Sequence, residues 1–148
     1  MSHSNEDHEL NEFSNIDLAV TRDSYYGTIA EPVYSGVLSF MRRKYSKNLA
    51  NVDVAVVGVP FDLSVTNRPG ARFGPRSVRE ASAQLSWGKA WGWGLDPFDQ
   101  LSVVDWGDCL FDPGVPANIP QELEQQFSRI LDKEVATLAI GGDHFISY

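Results

Sequence analysis

The hydrophobic positions of the chain follow two different periods from residue 52 onward. Three apolar runs rich in β-branched residues are typical of strands buried on both faces, namely 52–61 (VDVAVVGVPF), 101–108 (LSVVDWGD) and 135–140 (VATLAI). Two stretches with helical spacing lie between them, RSVREASAQLS after Pro75 and IPQELEQQFSRILDK from residue 119. Strands that alternate with helices predict βαβ units, a parallel sheet and right-handed crossovers.

Each predicted helix has a group of apolar residues at helical spacing. In the first, Val78, Ala81 and Leu85 share one face. The second is the clearest helix of the chain, because its apolar residues recur at intervals of three and four; they are Leu123, Phe127, Ile130 and Leu131. Since strands that are apolar on both faces need helices on both sides, we expect an α/β fold with a covered, mostly parallel sheet.

The first third of the chain carries weaker signals. Residues 1–24 are acidic and polar with no sustained period, so we expect a mobile tail, and we place the folded portion at 25–148. After the tail, SGVLSFMRRKYSKN (35–48) mixes apolar and basic residues, and Val37, Phe40 and Met41 could share one helix face. The prediction for this stretch is a short helix or turn.

Composition and charge narrow the possible partners. The 148 residues include 20 acids against 12 lysines and arginines, for a formal net charge of −8. Such a balance argues against a nucleic-acid partner and favours a small cationic substrate, because it repels phosphates and attracts cations. A single cysteine, the lack of an apolar run long enough to span a membrane and a polar amino terminus together predict a cytoplasmic protein without membrane contact.

The loops that follow the carboxyl ends of strands are where parallel α/β sheets place their chemistry. The first such loop contains NRPGARFGP (67–75), which lacks the lysine ending of a P-loop and the glycine spacing of a dinucleotide site, so we reject a nucleotide site there. Its glycines more simply serve tight backbone geometry. Arg68 and Arg72 either pair with carboxylates or line a subunit contact.

The second loop begins in DWGDCLFD and offers Asp105, Asp108 and Asp112. Two of these acids together with His144 would make a metal site on neighbouring strand ends. Turn formation and helix capping are the commoner uses of aspartate, and we favour them here. We interpret the neighbouring Cys109 as a small buried residue.

A tryptophan-rich segment, SWGKAWGWGLDPFD (86–99), separates the first helix from the second strand. Trp87, Trp91 and Trp93 form either an aromatic lip that holds a cation at the mouth of an active site, or a loop pinned to the surface by large apolar rings. We favour the second interpretation.

His144 is the most distinctive candidate for chemistry. It is the one histidine outside the polar tail, and it follows Gly141, Gly142 and Asp143 directly at the end of the third predicted strand. The two glycines allow the backbone to approach a ligand or to bend sharply. An imidazole in that place serves as a metal ligand or as a general base.

Three motifs in this order, GVPFDLSVTNRPGARFGPRSVREAS (58–82), VVDWGD (103–108) and GGDHFISY (141–148), resemble the amino-terminal half of the ureohydrolase family of arginases and agmatinases. The resemblance covers about residues 35–148. It implies a three-layer α/β/α domain with a mostly parallel sheet, in which two manganese ions activate a hydroxide that attacks a guanidinium carbon and releases urea. Nickel in place of manganese is also compatible with it.

Carried over to this chain, the resemblance makes His144 a ligand of one metal ion and Asp143 a neighbour that orients this ligand. The family's other ligands belong to an Asp-x-His-x-Asp motif and an Asp-x-Asp motif, and neither occurs in the 148 residues. A dinuclear manganese site needs several carboxylates. We therefore expect this chain to be the amino-terminal portion of an agmatinase-like parent, ending after the third strand and without full activity of its own.

The activity implied for the parent is hydrolysis of agmatine to putrescine and urea, which takes a small guanidinium substrate, and the parent is expected to be a homo-oligomer. Guanidinobutyrase, guanidine hydrolase and other amidinohydrolases are the alternatives within the family. Two hypotheses of other classes remain. One is a non-catalytic module that docks on a full-length homologue, and the other is a small self-sufficient α/β enzyme that uses Asp105, Asp108 and His144.

Overall fold

The computed structural model describes residues 24–27, 32–86 and 90–148, so the predicted tail lies outside the described residues apart from Ser24. Its strands and α-helices are β1 (Lys44–Tyr45), β2 (Val54–Val59), α1 (Gly74–Ser82), β3 (Val103–Asp108), α2 (Ile119–Leu131) and β4 (Ala136–Gly141). Short 3₁₀ turns occur at Phe40–Arg42, Ala71–Phe73, Ala83–Leu85, Pro97–Asp99, Pro116–Asn118 and His144–Ser147.

The described strands form one parallel sheet in the order β1-β3-β2-β4. The predicted fold class, an α/β fold with a mostly parallel sheet, is confirmed. The three apolar runs contain β2, β3 and all of β4 except Gly141, and the two periodic stretches contain most of α1 and all of α2. Element type was therefore predicted well, and the boundaries differ by a few residues. The expected burial on both faces is wrong for β4, whose residues are exposed or half-buried because it is an edge strand of the described sheet.

The sequence pattern does not predict β1. The chain makes a short helical turn at Phe40–Arg42, as expected, but it then continues as a strand whose two residues, Lys44 and Tyr45, pair with Val104 and Asp105 of β3. Two residues are too few to show a strand period, and the strand exists only because β3 lies beside it. The sheet therefore has one more strand than the three predicted.

The side chains of β2 fill two separate faces of the sheet. Ala55, Val57 and Val59 belong to one core cluster together with Ile119 and Leu123 of α2. Because side chains alternate along a strand, the equally buried Val56 points to the opposite face. β2 is thus covered on both sides, as its continuous apolar run predicts.

The opposite face is covered by α1, but through polar side chains. This helix buries Pro75, Arg79 and Ser82, whereas Val78 is 40% exposed and Leu85, in the turn that follows, is 62% exposed. The apolar face seen in the sequence is therefore not the buried face of α1. Ion pairs between Arg79 and the sheet determine which side of the helix turns inward.

The second helix, α2, matches its prediction closely. Ile119, Leu123 and Ile130 are buried, and Phe127 packs against the same core cluster, while Leu131 is 55% exposed. Neither α1 nor α2, nor any other helix in the described part of the chain, is long and apolar enough to cross a membrane.

Candidate active site at the carboxyl edge of the sheet

The loops after β2 and β3 leave the sheet toward opposite faces. The first leads to α1, which packs on the Val56 face through Arg79, and the second leads to α2, which packs on the other face. Neighbouring strands whose loops diverge in this way create a crevice at the carboxyl edge of a parallel sheet. A cleft of about 250 Å³ opens there, lined by residues 60–63, Arg72, residues 109–111 and Pro113.

Asp62 and Arg72 form a charged pair in this cleft. The buried carboxylate of Asp62 accepts hydrogen bonds from the N–H of Gly70 (2.7 Å) and from Nε of Arg72 (2.7 Å), and Nη2 of Arg72 lies 2.5 Å from Oδ1. The hydrogen bond from the Arg72 side chain lowers the pKa of Asp62 to about 2. The predicted pairing of Arg72 with a carboxylate is confirmed, while the subunit contact suggested for Arg68 stays a prediction.

Gly142 brings the end of β4 against the loop after β2. Its N–H donates to the carbonyl oxygen of Val59 (3.1 Å), and the N–H of Asp143 donates to the carbonyl oxygen of Phe61 (2.7 Å). A Cβ atom at Gly142 would overlap that Phe61 oxygen. The close approach that the glycine pair allows is therefore between Gly142 and the backbone of residues 59–61.

Asp143 begins the turn that carries His144. Its Oδ1 accepts a hydrogen bond from the N–H of Phe145 (2.9 Å), as a helix N-cap does, and its Oδ2 accepts one from the N–H of Ser64 (2.9 Å) in the loop after β2. Both oxygens therefore face backbone donors. Asp143 fixes the turn, and its orienting role toward a metal ligand stays a prediction.

His144 is exposed at the carboxyl edge of the sheet, as the first residue of its 3₁₀ turn. An accessible imidazole can bind a metal ion. Within residues 24–27, 32–86 and 90–148, no three histidine, cysteine, aspartate or glutamate side chains are close enough together to hold one. His144 therefore fits a metal as a single ligand, and its assignment as a ligand stays a prediction.

The metal site suggested from Asp105, Asp108 and His144 is not formed, because Arg79 engages both aspartates. Nε and Nη2 of Arg79 lie 2.7 and 3.0 Å from the Asp105 oxygens, and Nη1 lies 2.6 Å from Oδ1 of Asp108. Burial alone would lower the pKa of Arg79, but its hydrogen bonds to the two carboxylates outweigh that effect and raise the pKa. Of these two aspartates, Asp105 also makes the kind of turn bond that was favoured, because it accepts a hydrogen bond from the N–H of Gly107 (2.9 Å).

A β-bulge allows both aspartates to reach one arginine. Successive residues of β2 pair with Asp105 and then with Gly107, so Trp106 is an extra residue in β3. Gly107 has a φ of 82°, which is costly for residues with a Cβ atom. In a regular strand, residues three apart point to opposite faces, and the extra residue cancels this alternation for Asp105 and Asp108.

The other residues after β3 behave as expected. Asp112 accepts a hydrogen bond from the N–H of Gly114 (2.8 Å), which confirms its turn role. Cys109 is buried, and burial raises the pKa of its thiol to about 11, which confirms its interpretation as a small buried residue.

The tryptophan segment does not match the favoured interpretation. Trp91 is fully exposed, so the favoured packing against the surface is wrong for this ring, whereas Trp93, at 57% exposed, is partly covered. Neither ring lines the cleft. Trp87 lies outside the described residues.

The roles of Asp62 and Arg79 were not predicted from the sequence. For Asp62 a local signal existed, because this acid directly follows an apolar strand and an arginine stands ten positions later. For Arg79 there was none, since its partner Asp105 is 26 positions away and the contact depends on how α1 crosses the sheet.

The fold and its Gly-Gly-Asp-His turn match a known protein family. The family model described as the arginase family matches residues 52–148. The match covers more than half of the chain, including the cleft loops and the His144 turn, and the chain therefore belongs to the arginase family.

Individual relatives narrow the similarity to agmatinases. The chain is 50% identical over 132 residues to an agmatinase of Chromobacterium violaceum, a match that spans 89% of this chain and 41% of the relative. It is 40% identical over 98 residues to an agmatinase of Edwardsiella ictaluri, a match that spans 66% of this chain and 32% of the relative.

Two solved structures have the same fold. A hypothetical agmatinase from Burkholderia thailandensis matches with a TM-score of 0.86 and 49% identity, over 89% of this chain and 42% of that protein. Proclavaminate amidino hydrolase from Streptomyces clavuligerus matches with a TM-score of 0.68 and 34% identity, over 76% and 38%. The matches thus span about a third to two fifths of the length of these relatives.

Proposed function

We propose that this chain is part of an agmatinase, which uses water to cleave the guanidinium group of agmatine and releases urea and putrescine. The observation that carries the proposal is the Gly-Gly-Asp-His turn at the carboxyl edge of the sheet, in a chain 50% identical to the Chromobacterium violaceum agmatinase. Because the match spans 41% of that relative, the activity is proposed for a longer catalytic unit. The product would place the reaction in polyamine metabolism.

His144 is the proposed metal ligand of this chain. A pair of manganese ions, or of nickel ions, would supply a hydrolytic nucleophile at neutral pH when bound. The described residues hold no cluster of three potential ligands around His144, so the carboxylates that such a pair prefers would come from elsewhere in the catalytic unit. This chain would present His144, together with the loop after β2 that bonds to the neighbouring Asp143.

The charge of the chain supports a cationic guanidinium substrate. A formal net charge of −8 attracts cations by long-range electrostatics. A 4-guanidinobutyrate hydrolase or another amidinohydrolase is the second candidate, and the likeness to proclavaminate amidino hydrolase supports it, but at 34% rather than 50% identity. A cytoplasmic location and a homo-oligomeric catalytic unit belong to the same proposal.

A chimera tests the proposed function. This chain replaces the 132 matching residues of the Chromobacterium violaceum agmatinase, and urea release is measured with manganese or nickel on agmatine, 4-guanidinobutyrate and guanidine. We expect agmatine to be hydrolysed fastest. A folded chimera that prefers another guanidino compound would support the second candidate, and one that releases no urea from any of them would contradict both.

A further inference from the structure

Two carboxylates pin the loop that follows β2, residues 62–73, which we call the rim loop. Asp62 at its beginning accepts hydrogen bonds from Gly70 and Arg72 near its end, so the loop is closed on itself. The Asp62 side chain is completely buried, while the Arg72 side chain is 46% exposed toward the cleft. Gly70 has a φ of 125°, a conformation that favours glycine, so the closing bend depends on that residue as well.

Asp143 ties the rim loop to the turn that carries His144. Its carboxylate is shared between the N–H of Ser64 in the rim loop and the N–H of Phe145 in the His144 turn, each at 2.9 Å. Its own N–H donates to the carbonyl oxygen of Phe61 (2.7 Å). The rim loop and the His144 turn are therefore held at a fixed separation by bonds at one residue.

The far end of the rim loop is also held close to β4. A Cβ atom added to Gly74, where α1 begins, would lie 2.6 Å from the carbonyl oxygen of Gly141. The rim loop is thus anchored near both of its ends, through Ser64 to Asp143 just after β4 and through the adjoining Gly74 to the last residue of β4. Connecting loops of mainly exposed residues are commonly mobile, and these contacts hold this one in place.

We propose that Asp62, Arg72 and Asp143 are positioning residues of the hydrolytic site, which hold the rim loop as a rigid wall beside His144. The inference rests on the proposed function, because the wall would orient the guanidinium substrate. Asp62 and Arg72 neutralise each other, so their contribution is geometric and adds no net charge to the wall. Small displacements of substrate-positioning groups lower turnover strongly even when they lie away from the reacting atoms.

Backbone hydrogen exchange tests whether these residues hold the loop. In Asp62→Ala, exchange at Gly70 and Arg72 should accelerate by roughly tenfold or more, and in Asp143→Ala the same should occur at Ser64 and Phe145, with β2 and β3 unchanged. The control is Arg68→Ala, a change at an exposed rim-loop residue. The measurement is made on the 148-residue chain, or on the chimera if the sheet amides of the chain are not protected. Unchanged exchange at the rim loop in both variants would overturn the proposal.

Kinetics of the chimera separate positioning from charge. Asp62→Asn leaves an unpaired cation and Arg72→Ala an unpaired anion, so an electrostatic role predicts opposite changes in KM. Positioning predicts that both lower kcat by about tenfold or more, that the double variant is no worse than either, and that bound metal is unchanged. Opposite KM shifts, or unaffected kcat in variants of an active chimera, would overturn this inference alone. An unsubstituted folded chimera without any guanidino hydrolysis would overturn the proposed function and this inference with it.

Discussion

Arg79 is the residue whose contacts stabilise the described structure most distinctively. It is buried between Asp105 and Asp108 and joins α1 to the carboxyl end of β3. Replacing a whole buried ion pair can be neutral, but removing one partner leaves an uncompensated charge in a place with little water. Loss of the Arg79 side chain would leave Asp105, which is fully buried, as the main uncompensated charge.

Arg79→Met should therefore lower the free energy of unfolding by about 3 to 5 kcal/mol. Urea denaturation followed by circular dichroism measures it. Arg76→Met is the matched control, because Arg76 is an exposed arginine of the same helix, and it should change stability by less than about 0.5 kcal/mol. Equal effects of the two substitutions would show that the buried pairs do not hold α1 in place.

Asp62 should titrate far below an ordinary aspartate. Its pKa is lowered from 3.8 to about 2, chiefly by the Arg72 side chain. The ion pair between Asp62 and Arg72 is therefore fully formed above about pH 4, and the stability that it contributes is lost as the pH falls toward 2. The ¹³C shift of the Asp62 carboxyl should have its midpoint near pH 2, and Arg72→Ala should move that midpoint up toward 3.8. A midpoint at 3.8 in the unsubstituted chain would contradict the buried pair.

Elements were predictable from the sequence wherever local pattern and tertiary packing agree. The apolar runs of β2 and β3 and the period of α2 indicate their structure directly, because each of these elements buries the side that the pattern marks. The run of β4 predicts a strand correctly, but its residues are exposed or half-buried. For α1 the local pattern and the tertiary packing disagree, because Arg79 pairs with two carboxylates and the polar side of the helix faces the sheet. The strand β1 could not be predicted, because its two residues gain their structure from β3.

The join between β2 and β4 depends on a glycine at its tightest point. In Gly142→Ala the new Cβ would overlap the carbonyl oxygen of Phe61, so the end of β4 must move and stability should fall by about 1 to 3 kcal/mol. Thermal unfolding measures the change. Gly94→Ala is the control, because no atom lies within 4 Å of a Cβ placed there. If Gly142→Ala is as stable as Gly94→Ala, the described contact between the strand ends is wrong.

At the scale of the whole molecule, the position of the candidate site was easier to predict from the sequence than the side-chain contacts within it. His144 and Asp143 stand at a strand end because the parallel topology gathers such ends at one edge. The ion pairs of Asp62 with Arg72 and of Asp105 with Arg79 could be identified only from the folded structure. Each depends on side chains that are brought together across a loop or between elements. The chain also spans about two fifths of the length of two of its relatives, and no cluster of three potential metal ligands lies among the described residues.

The 148-residue chain should therefore release no urea from agmatine by itself, even with manganese added. A single exposed histidine does not hold a pair of such ions. A colorimetric urea assay on the purified chain checks this expectation. Manganese-dependent release that is lost in His144→Ala would mean that the chain is a complete catalytic unit.

The proposed role of His144 as a metal ligand is tested most sharply by His144→Ala in the chimera with the Chromobacterium violaceum agmatinase. We predict that urea release from agmatine falls by roughly 100-fold or more and that manganese bound per subunit decreases. Ser147→Ala, an exposed position in the same turn, should retain both. A His144→Ala chimera that keeps its full manganese content and full urea release would contradict the assignment of His144 as a metal ligand.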